Sequence, residues 1–333
     1  MSVFKNEEAL YPEYLPNSLP HRENQIKFLA DCINILVKNQ KPSNIFVYGP
    51  PGVGKTAVVK FVLREFENYS GINCIYINCW EFNTSFSIIF EILRQIGIFS
   101  PRRGIAKDEI FLKLIEYLEK SKNNLVVALD EIDILIKKDQ EVIYDLVRIN
   151  YYTKQKILLI LISNNRYALK DLEERIKSSL NLEEIEFRPY TFLEMKDIVE
   201  ERMKLAFISY EEGVSAIVAN KAVEKGGDVR IALNILLKAG RIAKEKLTIK
   251  DVKSVLQQED KYFVEDLQKV EEREKIVLDV FKNPKSISQA YEELKEKLKV
   301  SERTLRRIVE NLVAKNLLKE IGYYNKEKIF AKI

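Results

Sequence analysis

The sequence predicts an α/β chain in three parts: a parallel sheet covered by helices, then a purely helical stretch, then three short helices closed by a hairpin. Three observations carry this reading. Short apolar runs alternate with amphipathic helical stretches as far as Phe187. From Arg188-Pro189-Tyr190 onward every patterned stretch repeats at about 3.6 residues, the helical period. Beyond Ile276, three helical stretches are followed by two strand-like runs flanking Gly322-Tyr323-Tyr324-Asn325-Lys326-Glu327.

Tyr11-Pro12-Glu13-Tyr14-Leu15-Pro16 is expected to be extended, because the prolines up to Pro20 oppose coiling. His21-Arg22-Glu23-Asn24 then opens an amphipathic helix through Ile26, Leu29, Ile33 and Leu36. Ile45–Tyr48 reads as a strand, and an apolar-periodic helix runs from Lys55 to about Phe66. Cys74–Asn78 is a second strand, followed by helices at Phe86–Ile96 and Glu109–Lys120. Leu125–Leu129 is continuously apolar, as a strand buried on both faces requires. Ile157–Ile162 repeats that pattern, a short helix within Asp171–Ser178 follows, and Leu182–Phe187 is the last strand. Helices are then expected at Thr191–Phe207, Val214–Lys225, Asp228–Lys244 and Thr248–Leu256, the last opened by a Thr248/Asp251 cap. Gln257–Glu274 is highly charged and reads as linking helix; Ile276–Phe281, Ser288–Leu298 and Glu302–Ala314 are the final helices. The expected divisions are 1–188, 189–258 and 259–333.

Between the first strand and its helix stands Gly49-Pro50-Pro51-Gly52-Val53-Gly54-Lys55-Thr56. Strand, GxxxxGK[ST] and helix together form a phosphate-binding loop. Its glycines let successive backbone N–H groups turn toward phosphates, and the helix start adds the positive end of its dipole. Gly52, Val53, Gly54 and Ala57 are therefore assigned to the cradle. Lys55 reaches the terminal phosphates as a point charge, and Thr56 ligates Mg²⁺. The apolar run 125–129 ends in Asp130-Glu131-Ile132-Asp133, placing Asp130 in the Mg²⁺ shell and Glu131 against the attacking water. The strand 157–162 ends in Ser163-Asn164-Asn165, where an amide is suited to the γ-phosphate, to the attacking water or simply to a turn. The expected ligands are ATP or ADP with Mg²⁺.

Composition narrows the rest. His21 is the single histidine, which excludes histidine-based metal or triad chemistry; its place before the loop strand suits either a structural or a nucleotide-pocket role. Cys32, Cys74 and Cys79 are odd in number and lack zinc spacing, so all three are expected to be buried, reduced thiols of a cytoplasmic protein. No apolar run reaches membrane-spanning length. The formal charge is only +4, but Phe281–Ile333 holds 13 Lys or Arg against 7 Glu, so the excess sits at the C-terminus.

Three helices plus a hairpin is the element order of a winged helix-turn-helix. In the third helix Leu305, Ile308, Val309, Leu312 and Val313 form the buried stripe. Ser301, Arg303, Thr304, Arg306 and Arg307 suit phosphates and base edges of a major groove, and Tyr323, Tyr324 and Lys326 suit wing contacts. Arg102-Arg103 lies in a basic turn that is either solvated or DNA-touching.

With these parts in order, the chain resembles an AAA+ ATPase of the archaeal origin-recognition and replication-initiator family, related to eukaryotic origin-recognition subunits. The resemblance covers nearly the whole chain. It rests on Leu19-Pro20-His21-Arg22-Glu23, Gly49–Thr56, Asp130–Asp133, Ser163-Asn164, Glu174–Leu180, Arg188-Pro189-Tyr190 and Gly227-Asp228-Val229-Arg230. It implies an AAA+ core with a small helical lid domain. By the same resemblance His21, Arg22, Tyr190 and Arg202 surround the nucleotide, Asn164 senses the γ-phosphate, and Arg230 is a second sensor on the lid. Arg175 corresponds to an arginine finger for a neighbouring subunit, and the helices around Arg102-Arg103 to a DNA-touching insertion. Two positions depart from the pattern: Glu174 stands where proline is usual, and Asn165 where aspartate is common.

The resemblance implies a replication initiator that binds duplex DNA at origins and helps recruit the replicative helicase, alone or beside paralogous initiator subunits. ATP hydrolysis is expected to be weak and to serve as a conformational switch. Two other readings compete. A signalling-type P-loop ATPase would use its winged helix for protein contacts and would usually carry repeat arrays, which this sequence lacks. A ring-forming DNA motor would hydrolyse ATP rapidly as a stable hexamer.

Overall fold

In a computed structural model of the chain the described residues are 2–99, 104, 106–121, 123–314, 317–324 and 327–332, with side chains outside the description at 259–271, 314, 323 and 324. The chain divides into two compact units, Met1–Val252 and Lys253–Ile333.

The first unit opens with a 3-10 turn at Glu7–Leu10 and helix α1 (Glu23–Val37), which leads to strand β1 (Asn44–Tyr48). Then follow α2 (Lys55–Ser70), β2 (Asn73–Asn78), α3 (Ser85–Gln95), α4 (Lys107–Ser121) and β3 (Leu125–Asp130). Helices α5 (Ile132–Lys138) and α6 (Glu141–Tyr152) precede β4 (Ile157–Ser163), and α7 (Glu174–Ser179) precedes β5 (Leu182–Glu186). The five strands form a sheet of order β2-β3-β4-β1-β5, with every pairing parallel. Successive side chains of a strand face opposite ways, so each inner strand feeds two cores. Leu125, Val127 and Leu129 pack with α3, α4, α5 and α6 on one face; Val126 and Ala128 pack with α1 and α2 on the other. That is why β1, β3 and β4 are buried at every position. Parallel pairing also puts all five carboxyl ends at one edge, where open α/β sheets hold their ligands.

Helices α8 (Phe192–Ala206), α9 (Val214–Glu224) and α10 (Val229–Ile242) complete the first unit. Thr191 opens α8 with a capping box to Glu194, and Thr248 and Asp251 exchange the expected cap bonds, including Thr248 N–H to Asp251 Oδ2 at 3.0 Å. Two expectations change. The acidic stretch after β3 continues into α5 and α6, whose buried Leu135, Val142, Ile143 and Leu146 keep a helical period. The anticipated helix, linker and helix of 248–281 form one helix, α11 (Ile249–Val280), because Gln257–Glu274 contains neither Gly nor Pro and consists largely of good helix formers. Cys32 and Cys79 are buried as expected, whereas Cys74, on the edge strand β2, is half-buried; all three are free thiols.

In the second unit, β6 (Lys285–Ser286) leads to α12 (Ile287–Leu298), α13 (Glu302–Ala314), β7 (Leu318–Tyr324) and β8 (Glu327–Lys332). The strands form an antiparallel sheet of order β6-β8-β7. Leu305, Val309 and Leu312 of α13 are buried with Val277, Phe281, Leu294 and Phe330, while Ile308 and Val313 are partly buried against the same cluster.

Candidate functional site

The loop after β1 turns through glycines with positive φ: Gly52 at 72° and Gly54 at 89°, the latter capping α2. Only glycine adopts this backbone without steric cost. These glycines also admit neighbours that a side chain would displace. A Cβ on Gly49 would meet the Phe187 carbonyl oxygen at 2.1 Å, one on Gly52 the Asp228 carboxylate at 1.8 Å, and one on Gly54 the Tyr190 hydroxyl at 2.9 Å. Val229 N–H donates to the Gly52 carbonyl at 3.1 Å, so the start of α10 rests directly on the loop.

Lys55, at the first position of α2, is buried. Its ammonium donates to the carbonyls of Gly49 at 2.7 Å and Pro50 at 2.8 Å, and to Asn164 Oδ1 at 2.8 Å. Burial pushes its pKa down to about 8, opposed by the nearby Asp130 and Glu131. Parallel register brings the acids beside it: Asn78 pairs with Asp130, and Tyr48 with Ser163. Asp130 accepts from every side, with Thr56 Oγ1 at 2.6 Å and Tyr76 Oη at 2.8 Å on Oδ2, and Glu131 N–H at 2.9 Å on Oδ1. Burial and Asp130 together keep the Tyr76 phenol protonated well above its ordinary range. Glu131 itself has φ 54°, an unusual left-handed conformation for this residue type. Its carboxylate accepts from Asn164 Nδ2 at 3.0 and 3.1 Å, and burial and Asp130 raise its pKa. The Asn164 amide thus joins the Lys55 cation to the Glu131 anion. Asp133 lies beside this group and accepts from Ser163 Oγ at 2.7 Å.

Lys55, Thr56, Tyr76, Asp130, Glu131 and Asn164 line a cavity of about 470 Å³. Its apolar lining comes from Leu15, Pro16 and Leu19 of the N-terminal segment and from Ile198, Leu205 and Leu233 of α8 and α10. Trp80 and Tyr190 also face it, as do Gly52, Gly54, Thr56, Ala57, Arg202 and Arg230. Arg230 is held in a fork by Asp228, with Nε to Oδ1 at 3.1 Å and Nη2 to Oδ2 at 2.8 Å.

Three of the residues assigned to the nucleotide do not line the cavity directly. His21, Arg22 and Val53 are outside the lining. His21 sits at φ 62° with Nε2 3.0 Å from Asp197 of α8. Arg22 is buried, donates to the Val53 carbonyl at 2.9 and 3.1 Å and to the Arg188 carbonyl at 2.9 Å, and stacks 3.8 Å over the Tyr190 ring. Its contact with the phosphate loop is therefore through backbone. Arg202 lines the cavity, but its guanidinium donates to the Ala9 carbonyl at 3.0 Å and the Tyr14 carbonyl at 3.4 Å. Burial lowers the pKa of both arginines from the usual value.

Arg202 belongs to a larger attachment. Lys5 N–H donates to the Ala206 carbonyl at 2.7 Å, Ile208 N–H donates to the Val3 carbonyl at 3.0 Å, and Glu7 pairs with Arg241 at 2.7 Å. Phe4 stacks on Phe207 with ring centroids 5.1 Å apart, in a notch where a Cβ on Gly240 would meet Phe4 at 2.4 Å. The N-terminal segment is thereby fastened to α8 and α10 before it lines the cavity.

Arg175 lies apart from the cavity, half-exposed, paired with Glu173 at 2.6 Å and Glu141 at 3.5 Å. In the second unit Ser301, Arg303, Arg306 and Arg307 are exposed along α13, and Thr304 is half-buried. Arg306 pairs with Glu302 at 2.6 Å, and Ser301 Oγ accepts from Thr304 N–H at 3.2 Å. Tyr323 and Tyr324 lie on β7, while Arg102, Arg103 and Lys326 fall outside the described residues. Sequence reasoning missed Tyr76, Asp228 and Trp80 as site residues; the available signals were Asp228 standing inside the Gly227–Arg230 motif and Tyr76 sharing a strand face with Asn78, two residues on.

Residues 38–170 match the AAA domain family, and residues 196–254 match the Cdc6 AAA+ ATPase-type lid domain. ORC1-type DNA replication protein 1 of Archaeoglobus fulgidus is 37% identical over 290 residues, covering 83% of this chain and 71% of that protein. ORC1-type DNA replication protein 1 of Sulfurisphaera tokodaii is 40% identical over 260 residues, which span 75% of this chain and 65% of that relative, just under two thirds of its length. Among solved structures, the Aeropyrum pernix ORC1 protein in complex with DNA matches with TM-score 0.75 at 28% identity, covering 99% of this chain and 93% of that one. The first unit is accordingly an AAA+ core with a Cdc6-type lid, α8 to α10 and the start of α11. By fold, lid and identity together, the chain belongs to the family of ORC1-type DNA replication proteins.

Proposed function

We propose that this protein is a replication initiator that holds Mg-ATP or ADP in the cavity between core and lid and binds duplex DNA at replication origins through residues 259–333. In this reading, 1–188 is the nucleotide-binding core and 189–258 the lid. It helps recruit the replicative helicase, alone or beside paralogous subunits. The observation that carries the reading is the convergence on one cavity of a glycine loop, the Lys55 ammonium, the Thr56–Asp130 pair and the lid residue Arg230, which Asp228 holds from outside the lining.

The residues fit the proposed ligands. Gly52 and Gly54 add no side chain at two left-handed positions of the loop, and Lys55 supplies a cation that is now satisfied by carbonyls and an amide. Thr56 and Asp130 would hold Mg²⁺, and Glu131, oriented by Asn164, would hold the proton of an attacking water. When bound, the triphosphate and its metal supply a γ-phosphoryl group with its charge neutralised for transfer. Arg230 must exchange part of its fork on Asp228 to reach a phosphate, so lid position and ligand charge are linked. Arg175, paired as it is, would serve a neighbouring subunit only after exchanging Glu173. ATP then acts as a conformational switch with weak turnover. The Aeropyrum pernix ORC1 relative was solved in complex with DNA, which supports duplex DNA as the partner of this chain too.

The test is titration of labelled duplex at several salt concentrations, with wild type beside Arg306→Ala. Affinity should fall steeply with salt, and the substitution should reduce the log–log slope by about 1. A salt-insensitive protein, or one indifferent to Arg306→Ala, would count against DNA binding by α13.

A further inference from the structure

We infer that Tyr76 is a positioning residue for the proposed metal site, fixing Asp130 so that its carboxylate faces Mg²⁺ in one orientation. This rests on the nucleotide reading above and extends it to a residue outside every recognised motif. Three hydrogen bonds define the carboxylate: Glu131 N–H on one oxygen, Thr56 and Tyr76 hydroxyls together on the other. Thr56 is itself a proposed metal ligand, so its bond to Asp130 moves whenever the metal site fills or empties. The bond from Tyr76, at 2.8 Å, comes from outside that pair and can persist through the exchange.

The fold gives Tyr76 little freedom to do otherwise. It lies on β2 opposite Ala128, two residues before the Asn78–Asp130 pair, so strand register aims its ring along the same face toward the end of β3. Its carbonyl accepts from Gln95 Nε2 at 3.0 Å, and Lys60 stacks 4.1 Å over its ring. Both Tyr76 and Lys60 line the cavity next to Thr56 and Asp130. A phenol held by backbone pairing and a stacked cation, with its hydroxyl on the same Asp130 oxygen as Thr56, is placed to orient that carboxylate.

The experiment uses the full chain with Tyr76→Phe, which keeps the ring under Lys60, and Asp130→Asn as the control. ADP binding is measured by calorimetry in EDTA and at graded MgCl₂, and bound Mn²⁺ is counted by electron paramagnetic resonance in the presence of ADP. Tyr76→Phe should bind ADP like wild type in EDTA but need about tenfold more Mg²⁺ for half-saturation, with a matching loss of bound Mn²⁺. If Asp130→Asn shifts the metal dependence and Tyr76→Phe does not, the role of Tyr76 is overturned while the site stands. If Tyr76→Phe weakens ADP equally with and without metal, its role is merely structural and the inference fails. If Asp130→Asn also leaves the metal dependence unmoved, the metal site itself is misassigned.

Discussion

Gly52→Ala should separate two costs that the structure superimposes at one residue. The backbone there has φ 72°, where an alanine is disfavoured by about 1–2 kcal/mol. The new methyl would also lie 1.8 Å from Asp228 Oδ1, so Asp228 must retreat. Retreat stretches the Val229 N–H bond to the Gly52 carbonyl, worth about 1 kcal/mol. Together these predict a loss of roughly 2–3 kcal/mol in the stability of the first unit. Asp228→Ala removes the carboxylate in the way, but also the N-cap bond to Arg230 N–H, at a cost of about 1 kcal/mol. The double variant should therefore be more stable than the sum of the singles predicts, by about 1 kcal/mol. Denaturant unfolding of all four proteins, followed by far-ultraviolet circular dichroism, measures this cycle. Strict additivity would mean that Asp228 does not press on Gly52, and an unchanged Gly52→Ala would refute the left-handed loop as well.

Lys55→Ala should abolish tight ATP binding, whereas Glu131→Gln should keep ATP bound and unhydrolysed; equal loss of nucleotide in both would show that Glu131 has another task. Nucleotide retention is readable from Trp80, the only tryptophan, which is 68% exposed and lines the cavity. Arg202→Ala removes both guanidinium bonds to the N-terminal segment, predicting a loss of about 2 kcal/mol and new proteolytic cleavage between residues 5 and 16. Phe4→Ala should give the same cleavage without touching the cavity, and uniform resistance in both variants would show that the fastening is dispensable.

How much was legible depended on how local each signal was. The glycine loop and the acids after β3 are short patterns tied to one strand end, so their positions follow from the chain alone. Helices α5 and α6 were hidden because α5 is only 7 residues long and the helix is interrupted at Asp139 and Gln140 before α6, so no long helical period runs through them. For Arg22 and Arg202 the sequence does not say which acceptors each guanidinium meets. A buried arginine needs acceptors, and nothing in the sequence distinguishes phosphate oxygens from peptide carbonyls. The fold supplies carbonyls from Val53 and Arg188 to one and from Ala9 and Tyr14 to the other. Tyr76 was illegible for a related reason: its partner is fixed by the register of β2 on β3, a pairing between residues more than fifty positions apart. Asp228 meets Gly52 only because α10 packs back across the loop.

The N-terminal segment is pinned at both ends, to α8 and α10 through residues 3 to 10 and to the phosphate loop through Arg22. The stretch between carries Pro12, Pro16 and Pro20, which stiffen it, and it meets α8 again where Arg202 donates to the Tyr14 carbonyl and His21 faces Asp197. It therefore acts as a leash. While both anchors hold, any opening of the lid away from the core would be limited by the covalent chain that joins them, and wider opening would demand that the leash first let go.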